Sequence, residues 1–356
     1  MALRVLIDGR RAQGSRAGVG HYTRSIVTHW PSPEDAEVLL DDKRAHEDFA
    51  PVRSVVLKGG ARWNLRAAWL ARRSRSLYFS PESYIVPWLL GRRALITVHD
   101  LTSLDLPGKQ TRRNVLTTRV FLPATIRRAG AIIVPTERVR ADLVRHFPFA
   151  AGKVTVISEG AREFAKDAPA DAIAAVAGLT PYVLYVGTIE PRKNVLTLIE
   201  AFLDAAPADW NCVLAGQVGW LGESELERFT SLVAHDRVHH LGYVPDEWLG
   251  TLFGQAELFA YVSESEGFGL PVAEAMAAGL PVIHSDDPAL VEVAGGAGIV
   301  VSREALAGDL RQAISAATGW SSAERQGHVD SGLAASARLD WTVAARETER
   351  LLRTLG

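Results

Sequence analysis

The sequence predicts an α/β protein made of two doubly wound domains. Three observations carry that prediction. The chain has 356 residues, more than a single hydrophobic core ordinarily organises. Apolar residues make up 47% of it, enough to fill two cores. Short apolar runs alternate with helical patterns along its length, as in parallel sheets joined by right-handed crossovers.

The strand-like runs come in two sets. The first is "RVLID", "EVLL", "SVVL", "LYFS", "ALITVHD", "AIIVP" and "KVTVI". The second is "YVLYVG", "NCVLAG", "RVHHLGY", "ELFAYVS", "PVIHS" and "GIVV". Helical patterns lie between many of them: one from near Gly20, then 63–73, 113–128, 137–147, 194–204, 247–254, 271–278 and 304–317. The weakly patterned stretch 160–181 reads as the junction, which gives domains at 1–165 and 175–339. The last helix, "DWTVAARETERLLRTLG", opens at an Asp340 N-cap. There are no repeats and no low-complexity tracts.

Composition narrows the class. The single cysteine, Cys212, lies inside a strand-like run and reads as a packing thiol. No disulfide can form within the chain, as in a reducing, cytoplasmic compartment. "MALRVLIDGR" is too short an apolar run for a signal segment, and no stretch reads as a membrane span. The net charge of −2 hides a division. Residues 1–165 carry 27 Lys+Arg and 15 Asp+Glu (+12), and residues 166–356 carry 12 and 26 (−14). A clustered positive half points to an anionic surface as partner.

In doubly wound folds, ligands sit beyond the carboxyl ends of strands, and the cleft between two such domains is the default site. After the first strand comes "AGVGHYTRSIV". Gly18 and Gly20 let a ligand approach the backbone, and free N–H groups at a helix start can hold an anion. As a dinucleotide fingerprint the stretch is weak. Thr23 stands where the third glycine belongs, the loop is too long, and only Asp41 or Asp42 offers the distal acid. "ALITVHDL" puts His99 and Asp100 at a strand end, where an imidazole can bond a substrate hydroxyl or meet charge. In "YVLYVGTIEPRKNVLTLIEAF" a strand ends at Gly187, and Arg192 and Lys193 stand beside a helix start, a good diphosphate clamp. His239 and His240, adjacent on a strand, face opposite sides and read as structural. The loop through Gly242, Tyr243 and Val244 can lie along a nucleobase.

"ESEGFGLPVAEAM" (264–276) places two acids, Glu266 and Glu274, in a buried-looking segment. Gly267, Phe268, Gly269 and Leu270 form a turn, and Pro271 suits a first helical position. The turn and the helix start can meet a phosphate, while carboxylates would grip hydroxyls on either side of it. The implied ligand is polyol, diphosphate and polyol in series, a nucleotide sugar. No Asp-x-Asp clamp for a divalent metal occurs, so no metal and no other cofactor is expected. Cys-x-x-Cys, lipase-type Gly-x-Ser-x-Gly and Walker motifs are absent as well. Nucleic acid is not an expected partner.

Together "GVGHYTRSI", "TVHDL", "LYVGTIEPRKNVLTLIEAF" and "EGFGLPVAEAMAAGLPVIHSD" resemble the large family of retaining GT-B glycosyltransferases with the Glu-x7-Glu motif, which includes bacterial mannosyl- and glucosyltransferases. The resemblance implies that Arg192 and Lys193 bind the donor diphosphate. Glu266 contacts the transferred sugar near its 3-hydroxyl, and Glu274 contacts the ribose. The backbone of Gly267, Phe268, Gly269 and Leu270 holds sugar and phosphate, Gly18 and Gly20 close over the diphosphate, and His99 stands near the sugar. It also implies that the first domain binds the acceptor and that the last helix, 340–356, packs back onto it. One departure is Ala17-Gly18 where many relatives carry two glycines.

Two basic tracts of the first half interleave arginine with bulky apolar residues. Residues 62–75 hold Trp63 and Trp69 among Arg62, Arg66, Arg72, Arg73 and Arg75; residues 111–128 hold Arg112, Arg113, Arg119, Arg127 and Arg128. They suit an anionic membrane surface and a lipid-linked glycan acceptor, or simply Trp turned inward and Arg outward. The expected enzyme moves mannose from GDP-mannose onto a glycan or lipid-linked acceptor, in the cytoplasm or at the inner membrane face, in polysaccharide or O-antigen synthesis. UDP-glucose is the alternative donor. An NAD-dependent oxidoreductase and a non-catalytic sugar-binding protein are the readings from other classes.

Overall fold

A computed structural model describes the chain apart from residues 1–3, 14–17, 42–48, 106–111, 163 and 165–168, and apart from the side chains of 61 and 112–117. Ala17, Asp42 and the side chains of Arg112 and Arg113 therefore lie outside the described residues. The chain divides into two units, Met1–Gly160 with Asp340–Gly356, and Ala161–Leu339.

Unit 1 is built on β1 (Val5–Asp8), β2 (Ala36–Leu40), β3 (Arg53–Val56), β4 (Leu77–Ser80), β5 (Ala94–Thr97), β6 (Ala131–Val134) and β7 (Val154–Val156). They form one parallel sheet in the order β3-β2-β1-β4-β5-β6-β7. β1, β2, β4, β5 and β6 are buried at every position. That is the pattern of a parallel sheet covered on both faces, and it explains why these runs are apolar rather than alternating. The helix Trp341–Arg353 belongs to this unit and packs on the helix Val19–Thr28 and on β4 and β6. Asp340 caps it by accepting from the Thr342 N–H. Its Trp341 ring meets His21 and Tyr22 edge-on at 5.6 and 5.8 Å. Gly160 runs so close to Trp341 that a Cβ there would lie 2.4 Å from its backbone nitrogen.

Unit 2 carries β8 (Tyr182–Val186), β9 (Asn211–Ala215), β10 (Val238–Gly242), β11 (Leu258–Tyr261), β12 (Val282–Ser285) and β13 (Ile299–Val301). Their parallel order is β10-β9-β8-β11-β12-β13. Its core joins the sheet to the helices Val195–Ala205, Leu270–Ala277 and Leu306–Thr318 around Leu184, Phe202, Phe259, Ile283 and Ile314.

In each sheet the strand order reverses once, between β1 and β4 in unit 1 and between β8 and β11 in unit 2. Connections leave those two strands in opposite directions, which opens a crevice at their carboxyl ends. The segments after β8 and β11, with Arg192, Lys193 and Glu266, flank that point in unit 2. The loop after β1 and the Pro81–Glu82 turn after β4 flank it in unit 1.

Helices over Ile85–Leu90, Glu223–Val233, Pro288–Ala294 and Ser322–Ser336 were not among the sequence expectations. The last two carry readable starts. Asp287 accepts from the Ala289 N–H, and Ser321 with Glu324 forms a capping box. The junction also contains a short helix, Ala170–Ala175.

Candidate functional site

In unit 2 the site begins where β8 gives way to Gly187, at φ +151°. A Cβ there would lie 3.0 Å from the Tyr185 hydroxyl, so glycine suits both conformation and space. The turn Pro191–Lys193 follows, and Asn194 takes the left-handed conformation at φ +53°. Its side-chain amide donates to the Val262 carbonyl (3.0 Å), which ties the turn to the end of β11.

That tie points Arg192 and Lys193 at Glu266. The Lys193 ammonium donates to Glu266 Oε1 and to the Tyr261 hydroxyl, and lies 4.7 Å over the Tyr261 ring. Arg192 lies 2.9 Å from the same carboxylate, donates to Glu190 (2.7 Å) and reaches the Ser265 carbonyl. Ser263 and Tyr261 hydroxyls add hydrogen bonds to Glu266 of 2.5 and 3.1 Å. Burial by itself would raise the Glu266 pKa. The charges of Lys193 and Arg192 and the bonds from Lys193 and Ser263 outweigh it and hold the acid down at about 2. Burial, reinforced by Arg192, draws Lys193 below its ordinary value against the pull of Glu266.

The two cations are thus not an open clamp, as the sequence suggested. Arg192 is engaged with Glu190 and Glu266, and Lys193 with Glu266, because cations this buried require partners. A diphosphate here would share them.

Beyond Glu266 the backbone turns through Gly267 and Phe268 to Gly269, the N-cap of the helix Leu270–Ala277. Gly269 sits at φ +99°, and a Cβ would lie 2.3 Å from Leu290 Cδ2, so any other residue there would strain the backbone and displace Leu290. The helix starts at Leu270, one residue before the expected Pro271. Glu274 is buried (4% exposed), and Arg162 answers it: Nε donates to Oε1 at 3.0 Å, while Nη1 pairs with Asp246 at 2.9 Å. Glu264 is half-buried, and its backbone is used. The N–H donates to the Arg192 carbonyl, and Arg303 donates to its carbonyl. At the proposed nucleobase loop, Tyr243 is exposed, but the Val244 side chain turns into the core, so the apolar surface there is Tyr243 alone.

In unit 1, Gly18 adopts φ +51° at the N-cap of the helix Val19–Thr28, and Gly20 is buried in its first turn. His99 lies two residues past β5. Nδ1 is 3.3 Å from Glu159 Oε1 and Nε2 is 2.9 Å from the Pro81 carbonyl, so both nitrogens face acceptors. The Tyr22 ring stands edge-on to it at 4.6 Å. Burial would lower the His99 pKa. The Glu159 bond and charge, with Glu82 and the Pro81 carbonyl, reverse this and raise it, which favours the imidazolium. Asp100 serves the backbone by accepting from the Thr102 N–H.

The other titratable candidates are structural. His239 bonds Asn211, His240 bonds the Gly216 carbonyl, and Cys212 is buried with its thiol pushed up to about 12 by burial. Trp63 is buried and donates to the Leu40 carbonyl, whereas Trp69 is exposed under the Arg73 guanidinium. Among the described residues no helix is long and apolar enough to cross a membrane.

Sequence reasoning missed Glu159, Arg162, Tyr261, Ser263 and Asp246. Glu159 follows β7 as His99 follows β5, so the strand-end rule could have found it. Arg162 lies in an unpatterned stretch and carries no comparable signal.

Residues 171–325 match the family model described as glycosyl transferases group 1, and residues 17–162 match that described as glycosyltransferase family 4. O-antigen chain mannosyltransferase B of Escherichia coli is 30% identical over 244 residues, 66% of this chain and 64% of the relative. The alignment with the serotype-specific mannosyltransferase WbdA of Escherichia coli covers only 16% of that protein. A GDP-mannose:cellobiosyl-diphosphopolyprenol alpha-mannosyltransferase of Komagataeibacter xylinus is 30% identical over 346 residues, 89% of this chain and 84% of the relative. Among solved structures, Anabaena HepE with UDP and glucose superposes over 99% of this chain and 100% of its own, with a TM-score of 0.76 at 18% identity. Sucrose-phosphate synthase of Thermosynechococcus elongatus gives 0.77 at 19%, over 99% of each chain. These two likenesses show the fold, GT-B.

Proposed function

The chain belongs to the glycosyltransferases of group 1 and family 4, and on that footing we propose that it is a retaining mannosyltransferase acting from GDP-mannose onto a glycan or lipid-linked acceptor. The observation that carries the reading is the Glu266 cluster beside the strand-order reversal of unit 2. One ionised carboxylate is gripped by Lys193 and Arg192 at the edge of a glycine turn that opens a helix. The mannosyltransferase relatives support the sugar, and the Komagataeibacter enzyme, a GDP-mannose:cellobiosyl-diphosphopolyprenol alpha-mannosyltransferase, supports the donor and a diphosphopolyprenol acceptor.

The geometry performs the reaction in this way. The donor diphosphate lies against Arg192, Lys193 and the N–H groups of the 267–270 turn, which meet the charge that develops as the nucleoside diphosphate leaves. Glu266 is fixed by four donors and accepts from the sugar hydroxyls. It orients the sugar rather than attacking it. Glu274 accepts from the ribose hydroxyls, and Tyr243 flanks the base. His99 has both ring nitrogens facing acceptors within unit 1, Glu159 and the Pro81 carbonyl, so its role is to stand as a positive charge near the sugar. The acceptor hydroxyl attacks from the face of the departing phosphate, which takes its proton, and the anomeric configuration is retained. Side-chain cations and helix N–H groups fill the role a divalent metal would otherwise have.

The acceptor side rests on unit 1. Leu65, Trp69, Trp88, Phe121 and Phe149 are exposed, with Arg73, Arg128 and Arg127 over the rings of Trp69, Trp88 and Phe149. Aromatic residues under arginines suit an anionic membrane face from which a lipid-linked acceptor is drawn.

A thermal-shift panel of GDP-mannose, UDP-glucose and dTDP-glucose tests the donor. GDP-mannose is expected to give the largest rise in Tm, as a ligand that binds only the folded state must. A larger rise with UDP-glucose overturns the choice of donor, and no rise with any of the three overturns the reading of the site.

A further inference from the structure

The buried acid Glu274 is served by a residue that no sequence motif marks. Arg162 enters unit 2 at its first turn of chain. The backbone there is pinned where the Ala161 N–H donates to the Leu339 carbonyl (3.0 Å). Two residues on, the Phe164 ring packs on Phe253 at 5.3 Å, within the helix Asp246–Gln255. Between these anchors the Arg162 guanidinium is largely buried and uses two edges. Nε faces Glu274, and Nη1 faces Asp246 at 2.9 Å. Asp246 is the first residue of its helix and follows directly on the Tyr243-Val244-Pro245 loop. One planar cation therefore links the acid of the helix Leu270–Ala277 to the loop at the end of β10.

We propose that Arg162 is a positioning residue for the ribose of the donor, anchored by Asp246 and holding the Glu274 carboxylate in the orientation that receives the ribose hydroxyls. The proposal rests on the reading of Glu274 as a ribose contact. Three features carry it. The bridge is bidentate across two different acids, a geometry that a guanidinium meets with its fixed fork and that a lysine, a single flexible point charge, does not. Glu274 has two acceptor oxygens, and the bond from Arg162 Nε fixes Oε1, so the orientation of the carboxylate is set. Arg162 pairs with Glu274 and Asp246, whereas Arg192 and Lys193, the diphosphate cations, pair with Glu266. Its effect falls on binding and not on turnover.

The test uses the full chain and the tighter-binding of GDP and UDP, with the 2′,3′-dideoxy form of the same nucleotide as the second probe. Affinities are measured by isothermal titration for the wild type and for Glu274→Gln, Arg162→Lys and Asp246→Asn, with Tm recorded for each. The wild type is expected to favour the ribonucleotide. Arg162→Lys is expected to weaken it by about tenfold, the scale of one charge-assisted hydrogen bond, while leaving the dideoxy form within about twofold. In steady-state assays the same variant raises the donor KM with kcat nearly unchanged. A merely structural role would weaken both nucleotides alike and leave their ratio intact. That outcome overturns the proposal, as does Arg162→Lys binding both nucleotides like the wild type. If Glu274→Gln also leaves the ratio unchanged, the underlying reading of Glu274 falls, and the proposal falls with it. If Glu274→Gln abolishes the preference and Arg162→Lys does not, the ribose contact stands and Arg162 alone is overturned.

Discussion

Replacing Glu266 with glutamine separates the charge of this carboxylate from its shape. The acid lies 9% exposed among Lys193, Arg192, Tyr261 and Ser263, and its pKa is brought from an ordinary 4.5 to about 2. A drop of that size corresponds to about 3 kcal/mol of folding free energy. The sign follows from the direction. A depressed acid stabilises the fold above its unfolded pKa, and that stability is lost as pH falls through the folded value. The contribution is nearly full at pH 5 and has fallen to about 1 kcal/mol at pH 3. Glutamine cannot titrate, so the stability gap between wild type and Glu266→Gln should narrow by about 2 kcal/mol from pH 5 to pH 3. Urea unfolding at each pH measures this, with pulse-labelled hydrogen exchange of β8 and β11 following unit 2 by itself. A gap that stays constant over that interval would refute the argument, because it would mean that Glu266 titrates alike in the folded and unfolded chain.

Two further outcomes are expected. Glu159→Gln should lower the midpoint of the His99 imidazole titration, read by proton–nitrogen NMR, since Glu159 supplies the bond and charge that raise it. The wild-type stability from this pair is full below about pH 6.5 and is lost as pH rises through the folded His99 value, and the variant should not show that loss. An unmoved midpoint would leave Glu159 without that role. Exchanging Arg66, Arg73, Arg127 and Arg128 for glutamine should weaken binding to anionic vesicles at low salt about a thousandfold, at about 1 kcal/mol per arginine. Unchanged binding removes the membrane-surface reading.

The fold was legible because buried parallel strands are written as unbroken apolar runs. All thirteen runs read from the sequence are strands in the structure, seven in unit 1 and six in unit 2. Helices were less legible where their apolar face is thin. Ser322–Ser336 buries only Val329, Gly332 and Ser336, and its start is marked by a cap rather than by periodicity. At the site, Gly269 and Glu266 announce themselves through local spacing, since a glycine turn and a helix start are fixed by neighbours in the chain. The partners of the acids do not. Lys193 meets Glu266 across 73 positions and Arg162 meets Glu274 across 112. Only the sheet order brings such residues together. The pairing of Arg192 and Lys193 with carboxylates escaped the sequence for the same reason: a charge count sees two cations and not what they face.

Residues 159–162, Glu-Gly-Ala-Arg, also fix how this protein can be recombined with its relatives. Glu159 serves His99 on one side of the boundary, and Arg162 serves Glu274 and Asp246 on the other. A graft that swaps unit 2 keeps both pairs when its first crossover falls between Glu159 and Arg162, and the seam between Gly160 and Ala161 also leaves Gly160 in its own unit. The second must fall between Leu339 and Asp340, so that Trp341 stays with the glycine it was shaped against. Moving the first seam two residues towards either end would deliver a chain with every recognisable motif in place and one of its acids or its histidine paired to a stranger.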